Sequence, residues 1–277
     1  MECLSPMNIQ RPNGQGNKDR IIVPCGKCAG CLTNRRNDWS LRLRFEHENA
    51  KSTHFVTMTY SDDNMYYNDQ YIPSVNKEHI QLFIKKIRNH TKEKLRYYCV
   101  AEYGTQTKRP HYHILLFNYP NNLTDQLINT WKYGFVKIGT ITNAAIHYVT
   151  KYHVNKNDHP ENAEKGFVLM SRKPGIGFDY IKIYKNYHDE NINRAHFTDF
   201  SGQIRRLPRY LRDKLYNEQE RSLINLKNNE INSTRAEKAK LDHEDLNPAQ
   251  NYFRYVFEQK IEFEKKFKHK INKNDKF

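Results

Sequence analysis

Two imidazoles, His111 and His113, stand two residues apart in Arg109-Pro-His-Tyr-His-Ile-Leu-Leu-Phe117. On a strand such residues point to one side, about 6.6 Å apart, where they can share a metal ion. Alone, His-x-His is a weak signal in a chain with 13 histidines, and a solvent-facing pair is the plainer reading. The neighbourhood strengthens the case. A strand-like run just upstream ends Ala101-Glu102-Tyr103-Gly104. If Tyr103 and Pro110 bracket a hairpin loop, antiparallel register sets Glu102 opposite His111, on the same sheet face. One carboxylate and two imidazoles then form a ligand set with open positions. It suits Mn²⁺ better than Mg²⁺, but either ion can complete its shell with water and phosphate oxygen. A slip of one residue would turn Glu102 to the other face.

A second reactive group lies downstream in Tyr148-Val-Thr-Lys151-Tyr152-His-Val-Asn-Lys156. Tyrosines at i and i+4 stack along one face of a helix, about 6 Å apart in rise. Lys151 lies three residues after Tyr148 and Lys156 four after Tyr152, so each phenol has an ammonium within reach. A phenol is a poor nucleophile near its ordinary pKa of about 10, and a nearby cation favours the phenolate and attracts phosphate. Aromatic pairs at this spacing also simply pack a core.

Cys25-x-x-Cys28-x-x-Cys31 forms a third cluster, to which Cys3 can add a fourth thiolate. Four thiolates suit a tetrahedral structural zinc. An iron–sulfur cluster and free thiols in a reducing compartment also fit the spacing. Cys99, inside a strand-like run, reads as buried core.

The elements that must position these groups can be read from periodicity. From Leu32 a basic helix runs without Pro or Gly, with Trp39, Leu43 and His47 recurring every fourth residue. Phe55–Tyr60 is a β-branched and aromatic strand. Ile80, Phe83, Ile84 and Ile87 make the stripe of an amphipathic helix capped by Ser74 or Asn76. Leu95–Tyr103 and His111–Phe117 are strands, Leu123–Trp131 a helix, Gly134–Ile138 a strand and Asn143–Asn155 a helix. The order β-α-β-β-α-β predicts an α+β fold: an antiparallel split-βαβ sheet with helices on one face. Past the loop Met170–Gly177 the reading is of short aromatic strand-like pieces, then helix formers from about Leu207, and a frayed Lys- and Asn-rich end from Phe263. The expected organisation is a Cys-rich segment with the basic helix over residues 1–52, the sheet domain over 53–205 and a basic helical region over 206–277.

Lys and Arg outnumber Asp and Glu by 46 to 31, a net +15, which calls for a polyanionic partner. Nineteen Tyr and fourteen Phe favour nucleic acid, since aromatic faces stack on unpaired bases. With no apolar run of 18 residues and a polar N-terminus, no membrane and a cytoplasmic location are expected.

Taken together, these motifs resemble the HUH endonuclease superfamily, specifically the rolling-circle replication initiators of microviruses (gokushovirus-like), small icosahedral single-stranded DNA phages. Phe55-Val-Thr-Met-Thr-Tyr60 matches the first strand motif, and Glu102-Tyr-Gly with Arg109-Pro-His-Tyr-His113 the metal motif. Tyr148-Val-Thr-Lys-Tyr152 matches the nucleophile motif, and both Pro24-Cys-Gly-Lys-Cys28 and Ser171-Arg-Lys-Pro-Gly-Ile-Gly177 look like this group. The match covers about residues 1–210. Relatives commonly carry a lysine three residues after the second tyrosine; here Lys156 is four after it.

What the resemblance implies is a nickase and ligase of single-stranded origin DNA, working in the cytoplasm of a bacterial host. It would use Mg²⁺ or Mn²⁺ on His111, His113 and Glu102, and Tyr148 and Tyr152 as nucleophiles aided by Lys151 and Lys156. The freed 3′-hydroxyl would serve a host polymerase, with a host helicase as a further partner. Arg35, Arg36, Arg109, Arg172, Lys173, Arg205 and Arg206 are the expected DNA contacts. A plasmid relaxase or transposase would share this chemistry. A non-catalytic, zinc-containing single-strand nucleic-acid-binding protein would share the sheet.

Overall fold

Thr53–Tyr60 alternates half-buried and buried residues along its whole length, the period of a strand with two unequal faces. The computed structural model describes residues 3–11, 20–104, 106–151, 159–198, 202–247 and 250–273. In chain order these form β1 (Met7–Gln10), β2 (Arg20–Val23), α1 (Ala29–Glu48), β3 (Thr53–Tyr60), α2 (Lys77–Arg88), β4 (Arg96–Tyr103) and β5 (Pro110–Phe117). There follow α3 (Thr124–Thr130), β6 (Gly134–Gly139), α4 (Asn143–Lys151), β7 (Val168–Met170) and α5 (Asp179–Asp189). The last elements are β8 (His196–Thr198), β9 (Ile204–Arg206), α6 (Arg209–Leu215), α7 (Glu218–Leu246) and α8 (Tyr252–Lys273). Two compact units result, Trp39–Lys182 and the combination of Met1–Asp38 with Ile183–Phe277.

The unit Trp39–Lys182 is built on one antiparallel sheet of strand order β6-β3-β5-β4-β7. Its one face carries Val56, Met58, Tyr112, Ile114 and Leu116 against Ile80, Phe83, Ile84 and Ile87 of α2 and Leu127 of α3. Each of those helix side chains contributes about 1.5–3 kcal/mol by leaving water. Asn76 caps α2, its side chain accepting from the Glu78 and His79 amides, while Lys85, Lys86 and Arg88 close its last turn. Cys99 is fully buried in this core.

Helices were expected on one face only, and here the structure differs. The opposite face is covered as well: Tyr98, Val100, Leu115 and Phe117 pack against Leu43 of α1, Ile146 and Val149 of α4, and Ile176. Nearly every residue of β4 and β5 is therefore buried, which accounts for the unbroken apolar run Ile114-Leu-Leu-Phe117.

Arg96 ties the loop after β7 to this face. Its guanidinium pairs with Glu46 of α1 and donates to the carbonyls of Pro174 (2.9 Å) and Gly175 (3.0 Å). The Gly177 amide donates to Glu46 Oε2 at 2.7 Å. Gly177 has φ +77° and sits so close to the Arg42 backbone that a Cβ would meet it at 2.9 Å.

In the other unit β1 pairs with β2 and β8 with β9, both antiparallel. A capping box of Asn217 and Glu220 starts α7. Two expectations are corrected. Of the segment read as short aromatic strand pieces, Asp179–Asp189 is instead the helix α5, with Asp179 in its first turn, while His196–Thr198 and Ile204–Arg206 are strands. The chain end read as frayed is helical through Lys273.

Candidate active site

Register and burial bring the first group of reactive residues together. β4 and β5 pair Glu102 with His111 and Tyr103 with Pro110, the register expected from the hairpin. β3 adds Thr57 opposite His113 on the other side. Thr142 starts α4 by accepting the Ala145 amide on its hydroxyl at 3.1 Å, and the buried Ala145, Ile146 and Val149 seat the helix on the sheet. That seating delivers the Tyr148 phenol. Its hydroxyl donates to Glu102 Oε1 at 2.7 Å and lies 3.4 Å from His113 Nε2.

His113 and Glu102 are each only 7% exposed, and His113 Nε2 lies 2.9 Å from Glu102 Oε1. The His113 ring stacks on Phe55 at 5.6 Å and 16°, meets Tyr148 edge-on at 5.0 Å, and places Nδ1 3.1 Å from Thr57 Oγ1. His111 lies nearly parallel to His113, ring centroids 6.4 Å apart. Its Nδ1 meets the Arg109 carbonyl at 2.5 Å. A carbonyl only accepts, so Nδ1 carries the proton and Nε2 keeps its lone pair, the state of a metal-ligating histidine. Burial pushes the His111 imidazole below its ordinary range, the Arg109 carbonyl and Glu102 partly opposing. Gly104 leaves room for that ring, since a Cβ there would stand 3.1 Å from His111 Cε1.

Among the described residues, Glu102 Oε2 is buried with no hydrogen-bond partner. An orphaned carboxylate oxygen beside imidazole nitrogens fits a divalent cation, whose charge would offset the desolvation of the acid. Glu102, His111 and His113 are nevertheless not drawn together as tightly as the cysteines. Among the described residues, the group of three or more candidate ligand atoms all within 4.8 Å of one another is Cys3, Cys25, Cys28 and Cys31.

The four sulfurs lie within 4.8 Å of one another, with Cys28–Cys3 at 3.8 Å and Cys25–Cys31 at 4.0 Å. A tetrahedron with metal–sulfur bonds of about 2.3 Å has edges of about 3.8 Å. The amides of Lys27 and Cys28 donate to Cys25 Sγ, and these bonds lower its pKa to about 6. Burial pushes Cys31 up to about 12. The cluster sits at the N-terminus of α1, whose dipole favours thiolate. A metal such as zinc fits it.

The remaining sequence candidates fall differently. Lys151 is the last residue of α4, while Tyr152 and Lys156 lie outside the described residues. Arg109 is engaged by the protein: it donates to the Tyr60 carbonyl and pairs with Asp62 at 2.6 Å. Arg36 is half-buried, its Nε without a partner among the described residues and its pKa lowered by burial, and Arg35 beside it is half-buried too. Arg206 pairs with Asp38 at 2.7 Å and Arg205 reaches Gln203. Arg172 and Lys173 are exposed. Thr57 and Phe55, which brace His113, belong to the run read from sequence as the first strand motif but were given no site role there. Their signal is position, two residues apart on a strand, but it becomes legible only once β3 is known to pair with β5.

An antiparallel sheet presenting imidazoles, a carboxylate and a helix-borne phenol from one face defines the class of this α+β protein. The family described as replication-associated protein ORF2 matches residues 53–158. Replication-associated protein ORF2 of Spiroplasma virus 4 is 31% identical over 237 residues, 72% of this chain and 73% of that one. Replication-associated protein VP4 of Bdellovibrio phage phiMH2K is 28% identical, covering 70% of this chain and 67% of that one. Replication-associated protein ORF4 of Chlamydia phage 1 is 26% identical, over 47% of this chain and 37% of that one. Among solved structures, the hypothetical protein ORF119 of Sulfolobus islandicus rod-shaped virus 1 aligns with 41% of this chain and 88% of its own, at 22% identity and a TM-score of 0.30. The chain belongs to the family of phage replication-associated proteins. No helix among its described residues is long and apolar enough to cross a membrane.

Proposed function

We propose that this protein initiates rolling-circle replication as an HUH-type endonuclease that nicks and rejoins single-stranded origin DNA through tyrosine. The observation that carries the reading is the Tyr148 hydroxyl, 2.7 Å from Glu102 Oε1 and 3.4 Å from His113 Nε2. A nucleophile, a carboxylate and an imidazole nitrogen thus meet at one point of the sheet. In the nicking step the Tyr148 oxygen forms a bond to phosphorus and the bond from phosphorus to the 3′ oxygen breaks. The phenol proton leaves through solvent, and the departing oxygen takes one up as a free 3′-hydroxyl. The DNA stays attached as a 5′-phosphotyrosine, and reversal by a 3′-hydroxyl rejoins the strand.

Each residue has a part in that step. Glu102 Oε1 orients the phenol, Thr57 and Phe55 fix the His113 ring, and the Arg109 carbonyl fixes the His111 tautomer. Glu102, His111 and His113 would hold Mg²⁺ or Mn²⁺, which when bound polarises the phosphate and stabilises charge developing on it. Tyr152 is the proposed second nucleophile, so that successive transfers occur without release of the end. Lys151 and Lys156 supply cations to the phenols, and the four cysteines hold a structural zinc.

The test is incubation with single-stranded origin DNA and Mn²⁺, followed by denaturing electrophoresis. The expected result is a protein–DNA adduct that persists partly in Tyr148→Phe and in Tyr152→Phe and is lost in the double variant. Full cleavage by the double variant, or an intact oligonucleotide with the wild-type chain, would overturn the reading. The second outcome would leave a single-strand-binding protein.

A further inference from the structure

A basic groove of about 740 Å³ lies along the β7 edge of the sheet and has no part in the site above. One wall is a flank of α2: Lys77, Gln81 and Arg88 are close to whole helical turns apart and form a single stripe. The other wall is the edge strand and the exposed Arg172 and Lys173 that follow it, with Lys94 at one end and Tyr97 between the walls. The Arg88 guanidinium lies 5.7 Å from the Tyr97 ring centre, and both Arg88 and Arg172 bear on its phenol.

The charge here is unbalanced. Among the described residues Lys77, Lys94, Arg172 and Lys173 have no carboxylate partner, and the groove's acid, Glu93, is already paired with Lys51 at 2.7 Å. Unpaired cations along a concave channel with an aromatic ring between them match a flexible polyanion that has exposed base faces. A duplex carries its charge on a wide convex surface that cannot follow such a channel to Tyr97.

We propose that this groove binds the backbone of single-stranded DNA outside the scissile region. The proposal rests on the nicking reading for the identity of its ligand. Tyr97 and Glu102 lie five residues apart on β4 and so face opposite sides of the sheet, which puts the groove on the α2 side, behind the reactive centre. From Arg88 at Tyr97 it runs ~16 Å along α2 to Lys77, next to Asn76, whose amide meets the Tyr112 hydroxyl, room for a few phosphates. The groove would keep hold of the strand while its ends are exchanged at the tyrosines.

Lysine and arginine beside an edge strand also guard against strand-to-strand association, and the experiment separates the two roles. The full chain and a Lys94→Gln/Arg172→Gln/Lys173→Gln variant are titrated, without divalent metal, against fluorescein-labelled oligothymidylate of about thirty nucleotides. The titrations run over salt from about 50 to 200 mM. Losing three phosphate contacts makes the slope of log affinity against log salt shallower by about 2 and weakens binding by roughly tenfold or more. A wild-type slope and affinity in the variant overturn the proposal. So does unchanged DNA binding with new self-association by light scattering, and so does an equal loss on duplex of the same length. Adduct formation by the wild-type chain with Mn²⁺ reports on nicking alone: no adduct together with the slope change removes the nicking reading and leaves the groove.

Discussion

Arg96→Met removes the charge that holds the loop Ser171–Gly177 to the sheet. The Arg96 and Glu46 side chains are 8% and 5% exposed, and the guanidinium meets both Glu46 oxygens as well as two loop carbonyls. Methionine fills much of the same volume but leaves Glu46 buried, with only the Gly177 amide to satisfy it. Breaking a buried pair from one side costs about 3–5 kcal/mol, against ~1 kcal/mol or less for an exposed pair. With a urea dependence of about 2 kcal/mol per molar, the unfolding midpoint of the unit Trp39–Lys182 should fall by about 1.5–2.5 M. Urea titration followed by circular dichroism reads this directly. Adding Glu46→Leu should recover part of the loss, because the uncompensated carboxylate is gone while the Pro174 and Gly175 carbonyls still lack their donor. A midpoint shift worth less than ~1 kcal/mol would show that Arg96 and Glu46 behave as a solvated surface pair, and the account of this loop would fail.

Three further outcomes follow from particular contacts. Thr57→Val keeps the strand but removes the hydroxyl beside His113 Nδ1, so Mn²⁺ affinity measured by calorimetry should fall about 10- to 100-fold with the circular dichroism spectrum unchanged. His188 is 1% exposed and its pKa is lowered from 6.5 by burial, so the unfolded chain takes up a proton before the folded one does. Stability should therefore decline as pH falls from 7 through about 6.5 and below, and the decline should be shallower in His188→Gln when midpoints are compared across pH. Metal analysis after reducing purification should find about one zinc per chain, falling below half an equivalent in Cys28→Ser, with lower helicity as the start of α1 loosens.

Much of the sheet that carries the candidate site could be read from the chain because local pattern and tertiary burial agree there. The Ile80, Phe83, Ile84, Ile87 stripe became the buried face of α2, and the Gly104 turn fixed the register that sets Glu102 against His111. α5 was misread because Ile181-Lys182-Ile183 alternates like a strand, whereas the fold buries Tyr180, Ile181 and His188 on a helix. The second covered face was missed although the run Ile114–Phe117, with no polar alternation, signalled it. Thr57 stood inside the first strand motif with no role assigned, for a different reason. A threonine in a strand carries no chemical mark of its own, and only the pairing of β3 with β5 brings it to His113.

Nicking by this site requires the Tyr148 oxygen to become bonded to phosphorus. Protease digestion of the Mn²⁺-dependent product, followed by mass spectrometry, tests it directly in Tyr152→Phe, where the second phenol is removed. The expected product carries a nucleotide mass on Tyr148 itself. An adduct mapped to any other residue, or cleavage with no covalent product at all, would contradict it.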